Sequence, residues 1–597
     1  MKLPSPGFLL HAFFQTFRRF PGALLAAGIG VIAVYALIDK YDKDICARFW
    51  MVAQLGLPLM IGIVAFAESK GWEEKRSWML QGLGFAALAG YWFVLDTTGS
   101  TFEYTVLPKY LALLLVAHLF VAVAPYLNSR SVADFWEYNR QVFANIVVGG
   151  VFTFILNSGL SLAILAVDQL FDLHIDNRIY LKLFALLAGI FNTTYFLYHF
   201  PKEYTLSEAD GGYNAIFKNL CKYILIPIVG LYFLILYTYG GKILATWNLP
   251  KGWVSSLVLG FSVAGIFTYL LNFYLPEHDD SAWVRAFRRW FWWVQLPLTA
   301  LLFVAIAKRI GDYGVTEPRF LVAHLGVWLA ATCLYFLFSK HDNIKFIPIS
   351  LALFALLFAF GPFNALRVSE RSQEKVLLGL LEKNGRLENG RLKPGTAIMP
   401  DTEVFKINSV LEFLDDRGVL SRMDWLPMPL DSFPQIRMSS AAAAIATWAG
   451  IVTQSDQVHS NTLTIESSAR YSGLQQPTEI KGFQVFQSVE LSDALPEQIP
   501  DGNWFCISKD GKRLEWYRIL AGKSALLESF DLSRQLQKWI AGRENSTYES
   551  LPPIDLTFDL TGKKGALRIV ATSVNISRKA GDPALYGLTG YLFFKEK

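Results

Sequence analysis

Only a few residues in this 597-residue chain have types and spacing suited to chemistry. Asp168, Asp172, His174 and Asp176 crowd into one short stretch. Carboxylates beside an imidazole can ligate a divalent cation, so these four form a candidate metal site. Their spacing is irregular and matches no established metal loop, and acidic residues at such a place also serve as solvated helix ends. A second set lies inside apolar runs: His118, Asn157, Asn192 and Gln295. A polar or ionisable side chain in hydrocarbon is costly and marks a functional candidate, with His118 the natural proton or substrate relay. The competing role is hydrogen bonding between membrane helices. Asp96, Glu103, Asp312 and Glu317 could line a cation-attracting mouth or simply a hydrated loop surface. Arg285, Arg288 and Arg289 precede Trp290 and read as an anchor attracted to anionic lipid, rather than as an anion-binding site.

Familiar catalytic patterns are missing. Ala521-Gly522-Lys523-Ser524 ends like a phosphate loop, but Tyr517 stands where the first glycine is required. There is no Gly-x-Ser-x-Gly elbow and no His-Glu-x-x-His. Cys46, Cys221, Cys333 and Cys506 are far apart and form no CxxC pair. Catalytic residues and cofactor are therefore left unassigned.

The elements that must position these residues come in two compositions. Over the whole chain 53% of residues are hydrophobic and 18% charged, where a soluble protein carries nearer a quarter charged. Residues 1–363 consist of apolar runs broken by short charged loops, while 364–597 reads as an ordinary globular domain. A helix needs roughly 20 apolar residues to cross the hydrocarbon, which predicts about eleven spans. They fall at 21–38, 49–67, 77–95, 106–127, 142–167, 180–200, 223–242, 253–275, 290–307, 320–338 and 346–363. The fold class is thus a membrane all-α bundle followed by a soluble α+β domain. Residues 8–20 read as an interfacial amphipathic helix or as an extension of the first span. In the second part, helices are expected at 370–387, 401–416 and 439–449. Strands are expected at 463–467, 483–489, 504–508, 514–519, 554–560, 567–576 and 586–594, with Asp510-Gly511 as a hairpin turn.

With the N-terminus in the cytoplasm, sixteen Lys and Arg fall in inner loops and eleven in outer ones. That bias favours a cytoplasmic N-terminus and, after eleven spans, a periplasmic C-terminal domain. The net charge of +5 is spread over many loops without a basic stripe, so the expected partners are the lipid bilayer and an envelope protein or polymer, not nucleic acid.

Several strings together resemble the bacterial membrane family called domain of unknown function 4153. They are Phe135-Trp136-Glu137-Tyr138-Asn139-Arg140, the run Ala166–Asp176 with Ile175-Asp176, Asn192-Thr193-Thr194-Tyr195-Phe196-Leu197 running to Pro201, and Lys251-Gly252-Trp253-Val254. Asp312-Tyr313-Gly314-Val315-Thr316-Glu317, and Gly361-Pro362 with Val368-Ser369-Glu370-Arg371-Ser372-Gln373, complete the set. The resemblance implies a multi-pass protein of the bacterial inner membrane and carries no activity with it. Three functions compete: an envelope scaffold or sensor presenting a soluble domain, a transporter with helices broken at Pro58, Pro227 and Pro297, and a membrane enzyme acting on a lipid-linked substrate.

Overall fold

The computed structural model describes residues 6–98, 102–128, 131–205, 215–246, 253–277, 281–339, 342–395, 399–433, 440–451, 462–467, 482–492, 497–499, 502–520, 523–543, 548–577 and 583–596. Two compact units are present. The first is helical. Helix α1 (Pro6–Arg19) ends at Phe20, whose backbone (φ −125°, ψ 54°) leaves the helix before Pro21 opens α2 (Pro21–Ile38). The leading segment is therefore a helix in its own right. Proline suits that first position because its missing N–H would have no partner there anyway. Then follow α3 (Lys43–Ser69), α4 (Glu74–Val94), α5 (Leu107–Val123), α6 (Val132–Phe171), α7 (Arg178–Leu186), α8 (Asn192–Tyr198), α9 (Ala215–Leu220), α10 (Ile226–Thr246), α11 (Trp253–Leu271), α12 (Ala282–Tyr313), α13 (Glu317–Phe338), α14 (Phe346–Ala359) and α15 (Ala365–Lys383).

Among the described residues, nine helices are long and apolar enough to cross a membrane. The remaining two expected spans are also helical but differ in character. Helix α4 carries more polar and small residues, and α14 has 14 residues, fewer than the roughly 20 a straight crossing needs. Three spans contain a π-helical turn: Phe102–Val106 leads into α5, Leu187–Phe191 joins α7 to α8, and Cys221–Leu225 joins α9 to α10. Helices α3 and α12 run unbroken through Pro58 and Pro297. The helix-break argument for transport fails at those two positions.

The helical unit extends beyond the last span. It takes in Met1–Lys383, Asn389–Arg391 and Ser409–Ala442, so no single cut at 363 divides the chain. Two joints explain why. Gly314 turns with φ 72°, leaving no room for a side chain against Gln373 and Val376. Gln373 Nε2 donates to the Tyr313 carbonyl at 3.1 Å and to the Val315 carbonyl at 2.9 Å, and Ser372 Oγ accepts from the Val315 amide at 2.8 Å. Arg417 then pairs both guanidinium arms with Glu317, at 2.6 and 2.8 Å, with its own ring contacts to Phe413 and Tyr104.

The second unit comprises Asn384–Glu388, Leu392–Asn408 and Ala443–Lys597. Strands β1 (Leu387–Glu388) and β2 (Arg391–Leu392) form a small ribbon, followed by helix α16 (Asp401–Asp415), of which residues 401–408 belong to this unit, and helix α17 (Ala441–Ala449), of which residues 443–449 do. The larger sheet has the order β4-β12-β11-β3-β9 with β10 also on β11, from β3 (Thr462–Ser467), β4 (Val485–Ser492), β9 (Tyr548–Leu551), β10 (Thr557–Thr561), β11 (Gly565–Ser577) and β12 (Ala584–Glu596). A second sheet orders β5 (Glu497–Ile499), β6 (Asn503–Ile507), β7 (Arg513–Leu520) and β8 (Lys523–Asp531). Trp516 of β7, fully buried, meets Phe594 of β12 at 4.8 Å and joins the two sheets in one core.

The seven expected strands all appear, β10 shortened by a 3₁₀ turn at Pro553–Leu556. Gly511 (φ 67°) turns between β6 and β7 as expected, and β11 pairs antiparallel with β12. Missed were β1, β2, β5, β8, β9 and helix α18 (Ser533–Ile540). Strand β8 begins at the Lys523 of the false phosphate loop and pairs with β7 from Leu520↔Lys523. Replacing Arg417 by Met leaves Glu317 buried without its partner, which should cost about 3–5 kcal/mol of unfolding free energy. Thermal unfolding of the detergent-solubilised protein reads this, and the double change Arg417→Met, Glu317→Leu should recover most of the loss.

Candidate functional site

Helix α6 is positioned by its first two turns. Ser131 caps it, its Oγ accepting from the Asp134 amide at 3.2 Å. The next residues reach outward to carbonyls in the last turns of other helices. Trp136 Nε1 donates to the Leu270 carbonyl (2.7 Å), the Tyr138 hydroxyl to that of Val121 (2.9 Å), and Asn139 Nδ2 to that of Ala122 (3.1 Å). The last carbonyls of a helix have no partner of their own, so these bonds fix α6 against α5 and α11. Arg140 Nε pairs with Glu137 Oε2 at 2.8 Å, while its guanidinium faces the Trp136 and Phe217 rings at 6.0 and 5.6 Å.

Beside this corner lies a cavity of about 420 Å³. Ser262 and Ile266 of α11, Leu325 and Trp328 of α13, and Ile347 of α14 form much of its wall, with Trp136, Asn139 and Arg140 at the α6 side. Val263, also lining it, is 71% exposed, so the cavity opens on the side of the bundle where acyl chains would lie. One polar pair reaches its wall. Ser262 Oγ accepts from Gln295 Nε2 at 2.7 Å and donates to the Val258 carbonyl, while the Gln295 Oε1 has no hydrogen-bond partner. Gln295, anticipated as an intramembrane polar residue, is thus interhelical glue with one acceptor to spare.

An apolar cavity of this size with a few convergent polar groups is the usual form of a small-molecule site. Its walls offer nothing to a hydrated ion and suit a hydrocarbon tail. Arg140, held by Glu137, stands at one end, where its charge can meet a polar head.

The structure places the residues anticipated for chemistry elsewhere. Asp168 Oδ1 accepts the Ile175 amide at 2.8 Å, and Asp172 ends α6 in the left-handed conformation (φ 50°, ψ 46°). Asp tolerates that conformation better than most residues. His174, also at positive φ (53°), sets Nδ1 2.9 Å from the Asp172 carbonyl. Asp176 accepts the Arg178 amide and pairs with its side chain at 3.1 Å. The four stop one helix and start the next. Among the described residues no group of three or more His, Cys, Asp or Glu is arranged to hold a metal ion.

His118 is exposed on the outside of α5, with Nδ1 2.8 Å from the Leu114 carbonyl one turn back. Asn192 lies against Gly149 of α6, and Asn157 is two turns further along that helix. Both Oδ1 atoms are buried without a partner, as is Thr153 Oγ1 on the same stripe. Asp96 closes a turn with Thr98, whose hydroxyl and amide hold its carboxyl below the usual range. Glu103 and Asp312 are exposed, and Glu317 is buried and paired with Arg417. The cavity residues carried no sequence signal beyond apolarity, except the polar cluster that opens α6.

The family described as "Domain of unknown function (DUF4153)" matches residues 25–381, a stretch that contains the whole cavity. The uncharacterized protein PM1469 of Pasteurella multocida (strain Pm70) is 28% identical over 181 residues, 30% of this chain and 30% of that protein. The alignment thus spans less than a third of the relative's length. No solved structure matches the chain. Because His118 faces outward, His118→Leu should change stability by no more than about 0.5 kcal/mol and leave protein levels normal; thermal unfolding and immunoblotting of membranes check this.

Proposed function

This chain belongs to the DUF4153 family, which matches more than half of it, and we propose that it is a multi-pass sensor or scaffold of the bacterial inner membrane whose bundle holds the apolar tail of an amphiphile. The cavity beside Trp136–Arg140 carries this reading. It is apolar within, open toward the lipid side at Val263, and ends at Arg140, which Glu137 holds. A tail buried there is removed from no water, since it arrives from lipid, so selectivity must come from shape and from the head. Arg140, held by Glu137, and Asn139 are placed to supply it.

The soluble unit is the second half of the proposal. Its two sheets would bind an envelope protein or polymer, with the bundle reporting on the membrane. A lipid-linked substrate would fit the same cavity, but the acidic cluster that an enzyme reading relied on is spent on ending α6. The proposed topology puts the N-terminus in the cytoplasm and Lys597 in the periplasm, on the strength of the loop charges and eleven traversals.

Two measurements test the proposal. Mass spectrometry of organic extracts of the purified protein should find a co-purifying amphiphile. Ile266→Trp, which fills the cavity, should lower its yield several-fold while the thermal midpoint holds; equal retention by the variant would sink the cavity reading. Alkaline phosphatase fused after Lys597 should be active and green fluorescent protein there dark; the reverse pattern would overturn the topology.

A further inference from the structure

A second hollow, of about 500 Å³, lies where several helix ends meet. Arg18 comes from the end of α1, Glu68 from the end of α3, Ser77 and Trp78 from the start of α4, and Leu197 from α8. Spans begin or end here: one starts at Pro21, one ends at Ser69 and one ends at Tyr198. Arg19 bonds both to Glu68 and to the Phe200 carbonyl, which puts these ends on one side of the bundle. Where spans end, headgroups begin. Trp72 and Trp78, 37% and 55% exposed, are the residue type of an interfacial belt.

The polar groups of this hollow are unevenly spent. Both oxygens of Glu68 are taken by Arg19, at 2.8 Å each. Glu74 meets Arg18 at 3.4 Å, and the Arg18 side chain is 78% exposed. An exposed pair of this kind holds weakly, so Arg18 can turn to a better acceptor. Lys202 Nζ has no hydrogen-bond or ion-pair partner among the described residues, although a smaller hollow with Glu137 and Glu203 lies on its other side. Ser77 Oγ accepts from Gln81 Nε2 at 3.3 Å, which leaves its own proton unused. The indole N–H groups of Trp72 and Trp78 are likewise unbonded among the described residues, and an indole can only donate. The hollow therefore holds spare donors, and those of Arg18 and Lys202 carry charge. That is the complement of an oxyanion.

We propose that this hollow binds a phosphate group, with Lys202 and Arg18 as its ligands and the Trp72 and Trp78 rings beside it. A guanidinium fork takes two phosphate oxygens at once, and the ammonium adds a point charge on a flexible stem. The phosphate comes either from a lipid headgroup or from a free anion. Phe14 and Phe17 of α1, 65% and 48% exposed, suit the acyl chains of a lipid. Among the described residues the hollow shares no wall with the apolar cavity, so the site does not depend on occupancy there. A bound phosphate would tie α1 to the segment after α8 across the Arg19–Glu68 pair.

The test uses the full chain in detergent micelles, with native mass spectrometry as the readout. The probes are phosphatidylglycerol and diacylglycerol with the same acyl chains. The wild type should retain phosphatidylglycerol over diacylglycerol. Lys202→Gln and Arg18→Gln should each cut that retention roughly fivefold. Both positions are exposed, so the thermal midpoint should hold. Arg76→Gln is the control for diffuse attraction, because Arg76 is exposed beside Ser77 on α4 but does not line the hollow. It should leave retention unchanged, as should Ile266→Trp, which fills the apolar cavity instead. If millimolar inorganic phosphate displaces the lipid and protects wild type, but not Lys202→Gln, against thermal unfolding, the source is the free anion. If it does neither while the lipid preference stands, the source is the headgroup. Equal retention of the two probes, equal retention by wild type and both variants, or an equal fall in Arg76→Gln overturns the site. A fall in Ile266→Trp alone would move the lipid to the apolar cavity and overturn it too.

Discussion

A guanidinium taken partly out of water has to be paired, and the bundle is organised around one that is. Arg19 donates to both oxygens of Glu68 at 2.8 Å and to the carbonyls of Phe200 and Pro201 at 3.0 and 2.6 Å. The Tyr204 hydroxyl adds a bond to Glu68 at 2.6 Å. Burial alone would lower the pKa of Arg19, but Glu68 and Tyr204 more than reverse it and the charge is kept. Phe20 and Phe200 pack edge to face over the pair at 5.4 Å, and Tyr138 meets Phe200 at 5.8 Å. Four separate parts of the chain therefore meet at one charge: the α1–α2 junction, the end of α3, the segment after α8, and the start of α6. Removing either partner would leave the other charge part-buried without its counter-ion and loosen all four segments at once. The rim of the cavity sits on the next residues of α6, so its geometry rests on this joint.

The strings that carry the family resemblance have the same character. Trp136, Tyr138 and Asn139 bond to the ends of α5 and α11, Pro201 offers its carbonyl to Arg19, and Tyr313 and Val315 are held by Ser372 and Gln373. These are joints between elements, where a side chain satisfies a backbone group that its own helix has left open. A protein recognisable by its joints keeps a geometry, which accords with a role in sensing or scaffolding.

Much of the architecture was legible because it follows from local periodicity. Apolar runs of near twenty residues marked the spans, and alternation marked the long strands β11 and β12. The failures have equally physical causes. Helix α14 was read four residues too long, because Phe360 leaves the helix in an extended conformation (φ −129°, ψ 165°) although the apolar run continues to Phe363. Strand β8 was missed because its sequence lacks clean alternation and depends on pairing with β7. Glu317 looked like a loop acid because its partner, Arg417, is a hundred residues away.

The sequence by itself determined that this is a multi-pass helical membrane protein with an α+β unit, since hydropathy over a helix length and alternation along a strand are properties of contiguous residues. It also determined which residues could be chemical, but not what they do. Only the tertiary structure turned Asp168, Asp172, His174 and Asp176 into a helix stop, set His118 on the outer face, and closed Arg285, Arg288 and Arg289 into a hollow with Trp292 and Trp293. It alone assembled the cavity, whose walls come from five helices and whose residues are, one at a time, indistinguishable from any other apolar residue in a span. A concavity is a relation between distant segments, and no window along the chain contains it.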